Sequence, residues 1–327
     1  MAVLVTGGAG YVGSHLVEQM FDRGIDCVVL DNFETGHRAA LPKVKIVKGD
    51  LRRRDDVKLL FERHEIDSVC HLAAYAFARE SAAEPAKYYE NNVCGAINLF
   101  AEMKEAGITR IVFSSSSAVY GNVKGSAKEN SPLRPVSPYG VTKALVEQVL
   151  LSFAKAYGFA VVSLRYFNAA GASPSGRIGE VMGEHPRFIP VCLDNALGRS
   201  RYVLIYGTDY ETPDGTCVRD YVHVSDVAGA HVAAMEKAEP GEHKIYNLGN
   251  EKGYSIREVI AAVETVTGKK LRVREAPREV GDPARIFASS AKARKELNWK
   301  PEFGDLESII ATAWEWFRKH PDGYKLL

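Results

Sequence analysis

The opening stretch of the chain follows a pattern that few folds accommodate. A short apolar run over residues 2–6 leads into the glycine-rich sequence GGAGYVG at 7–13, and an apolar pattern of helical period continues until Gly24. A second apolar run then ends in Asp31. Glycines let the backbone approach a pyrophosphate closely, and the start of the helix stabilises its charge. The order strand, glycine turn, helix, strand, acid therefore predicts a dinucleotide-binding βαβ unit.

The acid at the end of the second strand indicates which dinucleotide is bound. A carboxylate at Asp31 can accept hydrogen bonds from an adenosine ribose, and its charge repels a 2′-phosphate. We therefore expect NAD rather than NADP as the cofactor. The alternative, a glycine-rich turn that binds nothing, does not explain why strand, helix and acid all stand in place.

Strand and helix patterns alternate through the first half of the chain. After the opening unit, strand patterns lie at 44–47, 68–74, 110–113 and 160–166, and helical patterns at 55–63, 85–107 and 139–158. Such alternation predicts an α/β fold, a Rossmann-type doubly wound parallel sheet. We assign residues 1–172 to this NAD-binding domain, with return segments near 218–248.

The second half of the chain differs in composition from the first, because Gly and Pro become frequent after about residue 170. Strand-like pieces lie at 202–206 and 244–248, and helical stretches at 189–197, 225–237, 256–267, 289–297 and 306–320. We expect residues 173–327 to form a smaller C-terminal α+β lobe that binds the substrate.

Composition excludes several classes of protein. The 327 residues carry a formal net charge of only +1, which gives no strong attraction to nucleic acid or to an anionic membrane. No apolar run approaches the ~18–20 residues of a membrane span. The five cysteines form no C-x-x-C pair and are expected to be buried, reduced thiols: Cys27, Cys70, Cys94, Cys192 and Cys217. We expect a cytoplasmic protein without a metal site.

Tyr139 and Lys143 are the candidate catalytic pair. They stand four residues apart at the start of a helical pattern, so both side chains lie on one face. A free tyrosine has a pKa near ~10, and a nearby ammonium favours the phenolate. The pair is thus a candidate general acid/base. Taken alone, the same spacing also fits an ordinary amphipathic helix with a surface lysine.

Motifs along the whole chain resemble the extended short-chain dehydrogenase/reductase superfamily, and within it the UDP-glucose 4-epimerase family. They are TGGAGYVGSH at 6–15, DN at 31–32, GDL at 49–51, HLAA at 71–74, YYENN at 88–92, FSSSSAVYG at 113–121, SPYGVTKALVEQ at 137–148, LRYFNAAGA at 164–172, DGTCVRDYVHVSD at 214–226, YNLG at 246–249, GDPA at 281–284 and KELNWKP at 295–301. The resemblance implies NAD-dependent 4-epimerisation of a UDP-hexose such as UDP-glucose or UDP-galactose.

The resemblance also implies roles for individual residues. Lys143 would lower the pKa of Tyr139 and hold the nicotinamide ribose, while Ser116 would bind the sugar 4-hydroxyl, with Ser115 and Ser117 as rival assignments. The cofactor-binding set is Gly7, Gly10, Tyr11, Val12, Asp31, Asn32, Phe33, Thr35, Gly36, Asp50, Leu51, Leu72, Ala73, Ala74, Ala76, Asn91, Ser114, Tyr139, Lys143 and Tyr166. The substrate-binding set is Ser116, Tyr139, Asn168, Phe188, Leu204, Tyr206, Arg219, Arg278, Asp282 and Ile286.

Several substrate positions depart from the family pattern. Pro186 and Arg187 replace a common Asn-Asn, Glu279 replaces a phosphate-binding arginine, and Ala76 replaces a phosphate-binding lysine of some members. Arg278 is one residue away and could take over the phosphate. Ile286 stands where restrictive members carry tyrosine, which predicts tolerance of a 2-acetamido group, although Arg285 is an alternative gate.

Alternative functions differ in what they require. Arg219 could serve in an ion pair with Asp220 or Asp226 instead of binding phosphate. A 4,6-dehydratase needs an acidic pair after the strand-end serine, but Ser117 and Ala118 follow Ser116. Enzymes acting on UDP-glucuronate or a UDP-pentose remain an alternative. A catalytically silent NAD-sensing regulator would not require both Tyr139 and Lys143.

The family's dimers pair two helices per subunit, here 86–107 and 139–158, so a homodimer is expected.

Overall fold

The computed structural model describes residues 1–123, 125–184, 186–278 and 283–324. Its strands are β1 (Ala2–Thr6), β2 (Cys27–Asp31), β3 (Lys45–Lys48), β4 (Ile66–His71), β5 (Arg110–Ser114), β6 (Ala160–Tyr166), β7 (Asn168–Ala170), β8 (Val203–Tyr206), β9 (Val218–His223), β10 (His243–Leu248), β11 (Gly253–Ser255), β12 (Val273–Ala276) and β13 (Arg285–Ile286).

The helices in the same ranges are α1 (Tyr11–Asp22), α2 (Arg54–Arg63), α3 (Ala78–Ala83), α4 (Pro85–Tyr89), α5 (Gly95–Glu105), α6 (Pro138–Tyr157), α7 (Phe188–Ala196), α8 (Val224–Met235), α9 (Ile256–Thr267), α10 (Ala291–Glu296) and α11 (Leu306–Lys319). One π-helical turn, Glu90–Cys94, joins α4 to α5. No helix in these ranges has the length and apolar character needed to cross a membrane.

The main sheet confirms the predicted fold class. Its strand order is β10-β6-β5-β4-β1-β2-β3, and every described pairing in it is parallel. The chain runs outward from β1 to β3, then restarts on the other side of β1 with β4. Open α/β sheets bind ligands at such a switch point, beyond the carboxyl ends of the strands. The crevice therefore lies above β1 and β4.

Helices cover both faces of this sheet, which explains why its central strands are apolar throughout. One face packs against α1 and α8, with Leu16 and Val227 in its core, and the other against α2, α5 and α6, with Phe100 and Leu150. Both β10 and α8 come from the second half of the chain: β10 pairs with β6, and α8 packs on one face of the main sheet. The domain boundary at residue 172 stays a prediction.

The second lobe builds its own core around α7, α9 and α11, with Trp316 at its centre. Helix α9 begins with a capping box, in which the Ser255 hydroxyl and the Glu258 carboxylate each bind the other's backbone amide. The lobe's strands are short: β9 pairs with β7, β11 and β13, and β8 pairs with β12. This is the α+β arrangement predicted for the substrate lobe.

Two sequence expectations are corrected by the structure. The predicted single helix over 85–107 is α4 and α5 separated by the π-helical turn, because one inserted residue shifts the helical register. Cys94 is exposed on that turn, whereas Cys27, Cys70, Cys192 and Cys217 are buried as expected. None of these five thiols, all within the described ranges, forms a disulfide.

Candidate active site

The glycine turn closes tightly between β1 and α1. Gly7 adopts φ +69°, and a side-chain carbon on it would lie 2.6 Å from the Ala73 backbone nitrogen. A carbon on Gly13 would lie 2.1 Å from the Gly7 carbonyl oxygen. Gly10 caps α1 without any side chain, so the first amides of the helix face the crevice. The turn thus offers a backbone site for an anion such as pyrophosphate.

Asp31 is held at the end of β2 by two backbone amides. Its Oδ2 accepts from Ala9 N at 2.9 Å, and its Oδ1 accepts from Phe33 N at 2.8 Å. Burial raises the pKa of this carboxyl, and the two amide hydrogen bonds oppose the shift. The carboxylate is therefore fixed beside the glycine turn, where a ribose hydroxyl could donate to it.

The other predicted cofactor residues lie along one edge of the sheet. They follow β2, β3 and β4, or end β5 and β6, and so surround the switch point: Asn32, Phe33, Thr35, Gly36, Asp50, Leu51, Leu72, Ala73, Ala74, Ala76, Ser114 and Tyr166. Tyr11 and Val12 open α1, and Asn91 lies in the π-helical turn. The structure thus gathers residues scattered over 160 positions of the chain into one crevice.

Tyr139 and Lys143 are both buried, which excludes the surface-lysine interpretation. Helix α6 starts with Ser137, whose hydroxyl accepts from Gly140 N at 3.2 Å, and with Pro138 in its first turn. The first turns of the helix lie at the end of β5, where Ser114 is the last residue of the strand. The Lys143 ammonium donates to the Ser114 carbonyl at 2.8 Å and lies 6.0 Å from the centre of the Tyr139 ring.

Burial shifts both ionisable groups of this pair. It raises the pKa of Tyr139, while a hydrogen bond from Ser116 and the charge of Arg187 lower it. Burial lowers the pKa of Lys143 to about 7, against the opposing charge of Glu147. A lysine with a pKa close to physiological pH and a tyrosine in contact with a serine are suited to proton transfer.

The three serines after β5 differ in their surroundings, and Ser116 is the one predicted to bind the sugar hydroxyl. Ser115 is fully buried and donates to the Glu147 carboxylate at 2.5 Å. Ser117 begins a short 3₁₀ turn. Ser116 lies at the crevice and hydrogen-bonds Tyr139.

The residues predicted to bind the substrate lie on the second lobe and on the segments joining it to the sheet. Asn168 opens β7 and donates to the Asp220 carbonyl at 2.8 Å, and Arg219 lies on β9 beside it. The carboxylate of Asp220 accepts hydrogen bonds from the amides of Asn250, Glu251 and Ala288, and that of Asp226 from the amides of Glu302 and Phe303.

The remaining predicted substrate residues differ in placement. Phe188 begins α7 and lines a cavity of about 160 Å³ with Asn168. Leu204 and Tyr206 point outward from β8 and are partly exposed. Ile286 is buried against Val119 and Phe167.

Arg278 does not face this cavity, because its Nε donates to the Asp209 carboxylate at 2.5 Å and its guanidinium stacks on Tyr210. Asp282 and Glu279 lie outside the described residues.

Comparisons with known proteins identify the family. The model of the NAD dependent epimerase/dehydratase family matches residues 3–249. The chain belongs to this family. A UDP-glucose 4-epimerase of Halalkalibacterium halodurans is 46% identical over 326 residues, which are 99% of this chain and 98% of that protein.

Solved epimerase structures share the whole architecture. UDP-glucose 4-epimerase from Bifidobacterium longum, in complex with NAD+ and UDP, superposes with a TM-score of 0.95 at 37% identity, covering 99% of this chain and 100% of that chain. The UDP-Glc/GlcNAc 4-epimerase from Campylobacter jejuni gives 0.84 at 36% identity, covering 97% and 99%. The predicted membership of the epimerase branch is confirmed.

Three residues at the candidate site were not predicted from the sequence. Asn92 in the π-helical turn donates to the Tyr75 carbonyl at 3.0 Å and to Thr142 at 3.1 Å, tying the loop after β4 to α6. The motif YYENN contained it, but only its neighbour Asn91 was assigned. The buried His231 on α8 contacts the Ser114 hydroxyl at 2.6 Å. No sequence signal marks it.

Arg187 is the third, and the sequence showed it only as a departure from an Asn-Asn pair. Its guanidinium pairs with Glu180 and lies 5.1 Å from the centre of the Tyr11 ring and 5.7 Å from that of Phe77. Arg187 caps the start of α7, and its positive charge acts on Tyr139.

Proposed function

We propose that the protein is an NAD-dependent 4-epimerase that interconverts UDP-glucose and UDP-galactose. The observation that carries this proposal is the buried pair Tyr139 and Lys143, placed beside the glycine turn and next to Ser116. Full-length relatives named UDP-glucose 4-epimerase support the same reaction.

The residues present fit NAD. The bare start of α1 takes the pyrophosphate, and the fixed carboxylate of Asp31 accepts from the adenosine ribose. Asp50 and Leu51 lie at the adenine, while Asn91 and Tyr166 lie towards the nicotinamide. When bound, NAD would serve first as the acceptor of the C4 hydride and then as its donor.

Tyr139 acts as the general base and then as the general acid. Its phenolate takes the proton from the sugar 4-hydroxyl, which Ser116 orients, as the C4–H bond breaks and a 4-keto sugar forms. Lys143 stabilises the phenolate and binds the nicotinamide ribose. After the planar keto sugar turns over in the cavity, the hydride returns to its opposite face and Tyr139 returns the proton. The cycle consumes no cofactor.

The UDP part of the substrate lies on the second lobe. We assign Asn168 and Arg219 to the diphosphate and sugar, because arginine forms paired hydrogen bonds with phosphate oxygens. Phe188, Leu204 and Tyr206 flank the uracil in this proposal. Arg278 contributes only if it leaves Asp209, and Asp282 keeps its sequence-based assignment.

A wider sugar range is the second candidate. Ile286 in place of a tyrosine removes a ring and a hydroxyl near the sugar, and one similar structure is a UDP-Glc/GlcNAc 4-epimerase. We therefore infer slow turnover of UDP-N-acetylglucosamine. Action on UDP-glucuronate or a UDP-pentose is the remaining enzyme alternative, and an NAD-sensing regulator the alternative without catalysis.

The test is a panel of UDP-sugars given to the purified enzyme. UDP-galactose should yield UDP-glucose, measured by coupling to UDP-glucose dehydrogenase, and denatured protein should release NAD. Epimerisation of UDP-glucuronate or a UDP-pentose without activity on UDP-galactose would replace the substrate assignment. NAD release with no epimerisation of any sugar would favour the regulator.

We also infer a homodimer in the cytoplasm. Large apolar side chains are exposed on the two helices expected to pair, among them Ile97 on α5 and Leu145 on α6, each 41% exposed. Four buried cysteines and one exposed cysteine, none linked by a disulfide, suit a reducing compartment.

A further inference from the structure

Side chains join the three loops that follow β2, β3 and β4. The Tyr75 hydroxyl donates to the Glu34 carboxylate. Arg52 donates from Nη2 to Glu34 Oε1 at 2.5 Å, and from Nε to Asp50 Oδ1 at 2.9 Å. Because β4 and β2 flank β1 in the sheet and β3 lies beyond β2, the Tyr75–Glu34 contact crosses above β1, and the contacts bridge the rim of the crevice on the adenosine side.

Hydrogen bonds with Asn92 fix the position of Tyr75, which forms one end of this bridge. Asn92 accepts from Tyr75 N at 2.9 Å and donates to Tyr75 O at 3.0 Å, so the π-helical turn fixes the tyrosine's backbone on both sides. The Lys87 ammonium lies 4.3 Å from the centre of the Tyr75 ring. The phenol is therefore presented in one position.

Glu34 is directed towards Tyr75 by an uncommon backbone conformation. Phe33, the residue before it, adopts φ 62° although it is not glycine. The amides of Phe33 and Glu34 donate to the side chains of Asp31 and Asn32 at 2.8 and 3.0 Å. Non-glycine residues in this region cost free energy and cluster at ligand clamps. The strained turn aims the carboxylate across the crevice.

We propose that Glu34, Arg52 and Tyr75 form a latch that closes over the adenosine half of bound NAD and slows its release. The inference rests on the proposed use of NAD as a resident cofactor. Asp31 and Asp50, proposed to bind the ribose and the adenine, are less exposed than Glu34, whose side chain is 42% exposed. In this proposal the Tyr75–Glu34 and Arg52–Glu34 contacts break before the cofactor leaves.

The charges of the latch match this task. Hydrogen bonds from Tyr75 and Arg52 lower the pKa of Glu34, so its carboxylate is ionised at neutral pH. Hydrogen bonds to charged groups are stronger than neutral ones. An epimerase uses the same cofactor molecule in every cycle, so slow release preserves activity in dilute enzyme.

The experiment measures NAD release from the purified holoenzyme. Released NAD is trapped by excess alcohol dehydrogenase and ethanol, and its reduction is followed at 340 nm. We expect Tyr75→Phe and Glu34→Gln each to raise the release rate about 10-fold or more, the scale of a hydrogen bond to a charged group. Arg257→Met, which removes the exposed ion pair with Glu275 outside the site, is the matched control and should release NAD at the wild-type rate.

The double variant tests whether the two side chains act through one contact. Tyr75→Phe combined with Glu34→Gln should release NAD no more than about 3-fold faster than the faster single variant, because both changes remove the same hydrogen bond. Added NAD should restore the activity that these variants lose on dilution. Release at the wild-type rate in both single variants, or multiplicative effects in the double variant, would overturn the latch. The UDP-sugar panel on wild type tests the reaction separately.

Discussion

At the scale of single residues, the proposed chemistry depends on Tyr139. Replacing it with phenylalanine removes the hydroxyl that exchanges the proton with the sugar, and leaves the ring that packs against Tyr88. We expect Tyr139→Phe to lower kcat by ~10²–10⁴, the usual contribution of a general acid/base. NAD content and the thermal unfolding midpoint should match wild type. Turnover within a few-fold of wild type would remove Tyr139 from the mechanism.

Lys143 gives a prediction on pH and stability. Its pKa of about 7 in the folded protein lies below the ~10.4 of an unfolded chain, so between these values the unfolded state binds more protons. The contribution of Lys143 to the free energy of unfolding is therefore complete above pH ~10.4, the pKa in the unfolded chain, and falls as the pH drops towards 7. The free energy of unfolding of wild type minus that of Lys143→Met should increase with pH, by at most ~1.4 kcal/mol per unit.

Urea unfolding at pH 7, 8 and 9, at one NAD concentration, measures this difference. Lys155→Met is the control, because Lys155 lies on the same helix and is exposed. A difference that stays constant or decreases with pH would contradict a pKa of Lys143 lowered by burial.

The sequence was sufficient to predict those site residues whose chemistry requires both a particular residue type and a particular spacing. The glycine turn, Asp31 and the Tyr139–Lys143 pair belong to this class. Asn92, His231 and Arg187 were missed, since each contacts residues far away in sequence: Thr142, Ser114, and the rings of Tyr11 and Phe77. A pattern along the chain does not contain such contacts.

At the scale of elements, a buried ion pair fixes α6 against β6. Arg165 donates from Nε and Nη2 to the Glu147 carboxylate at 2.9 and 2.5 Å, and both side chains are 2% exposed. Glu147 lies one helical turn after Lys143 and also accepts from Ser115. The pair therefore sets the depth and rotation of the helix that carries the catalytic residues.

Breaking this pair should destabilise the protein more than removing it whole. Glu147→Gln leaves a buried guanidinium without its countercharge, which costs ~3–5 kcal/mol. The double variant Glu147→Met with Arg165→Met should lose less than that single variant. Glu62→Gln, at the exposed pair with Lys58, should change stability by less than ~1 kcal/mol. Urea denaturation gives all three values, and a double variant that loses as much stability as Glu147→Gln, or more, would refute the pairing.

Long elements were predicted to within a few residues, because apolar periodicity over ten or more positions is informative. The two- and three-residue strands β7, β11 and β13 were not, since so few residues show no period. They exist because β9 offers them a partner, which is a property of the folded lobe. The π-helical turn was not predicted for a related reason. One inserted residue shifts the register of the helix, while the amino-acid composition of the segment remains typical of a helix.

At the scale of the whole molecule, the proposed dimer gives a clear test. Glutamate at both Ile97 and Leu145 would place charge on the apolar surface of α5 and α6, where two copies are proposed to meet. We expect the double variant to sediment as a monomer and wild type as a dimer. Val273→Glu, an exposed apolar position on β12, is the control and should remain dimeric. A wild-type monomer, or an unchanged dimer in the double variant, would exclude this surface.

The return of β10 to the edge of β6 has a consequence for synthesis on the ribosome. Strand β6 and the face of α1 stay uncovered until residues 224–248 have emerged, because β10 and α8 supply their cover. A nascent chain of 172 residues therefore carries an open, apolar strand edge, the kind of surface that invites misassembly. Completion of the nucleotide-binding half therefore depends on residues that follow the first part of the second lobe, which couples the folding of the two halves during translation.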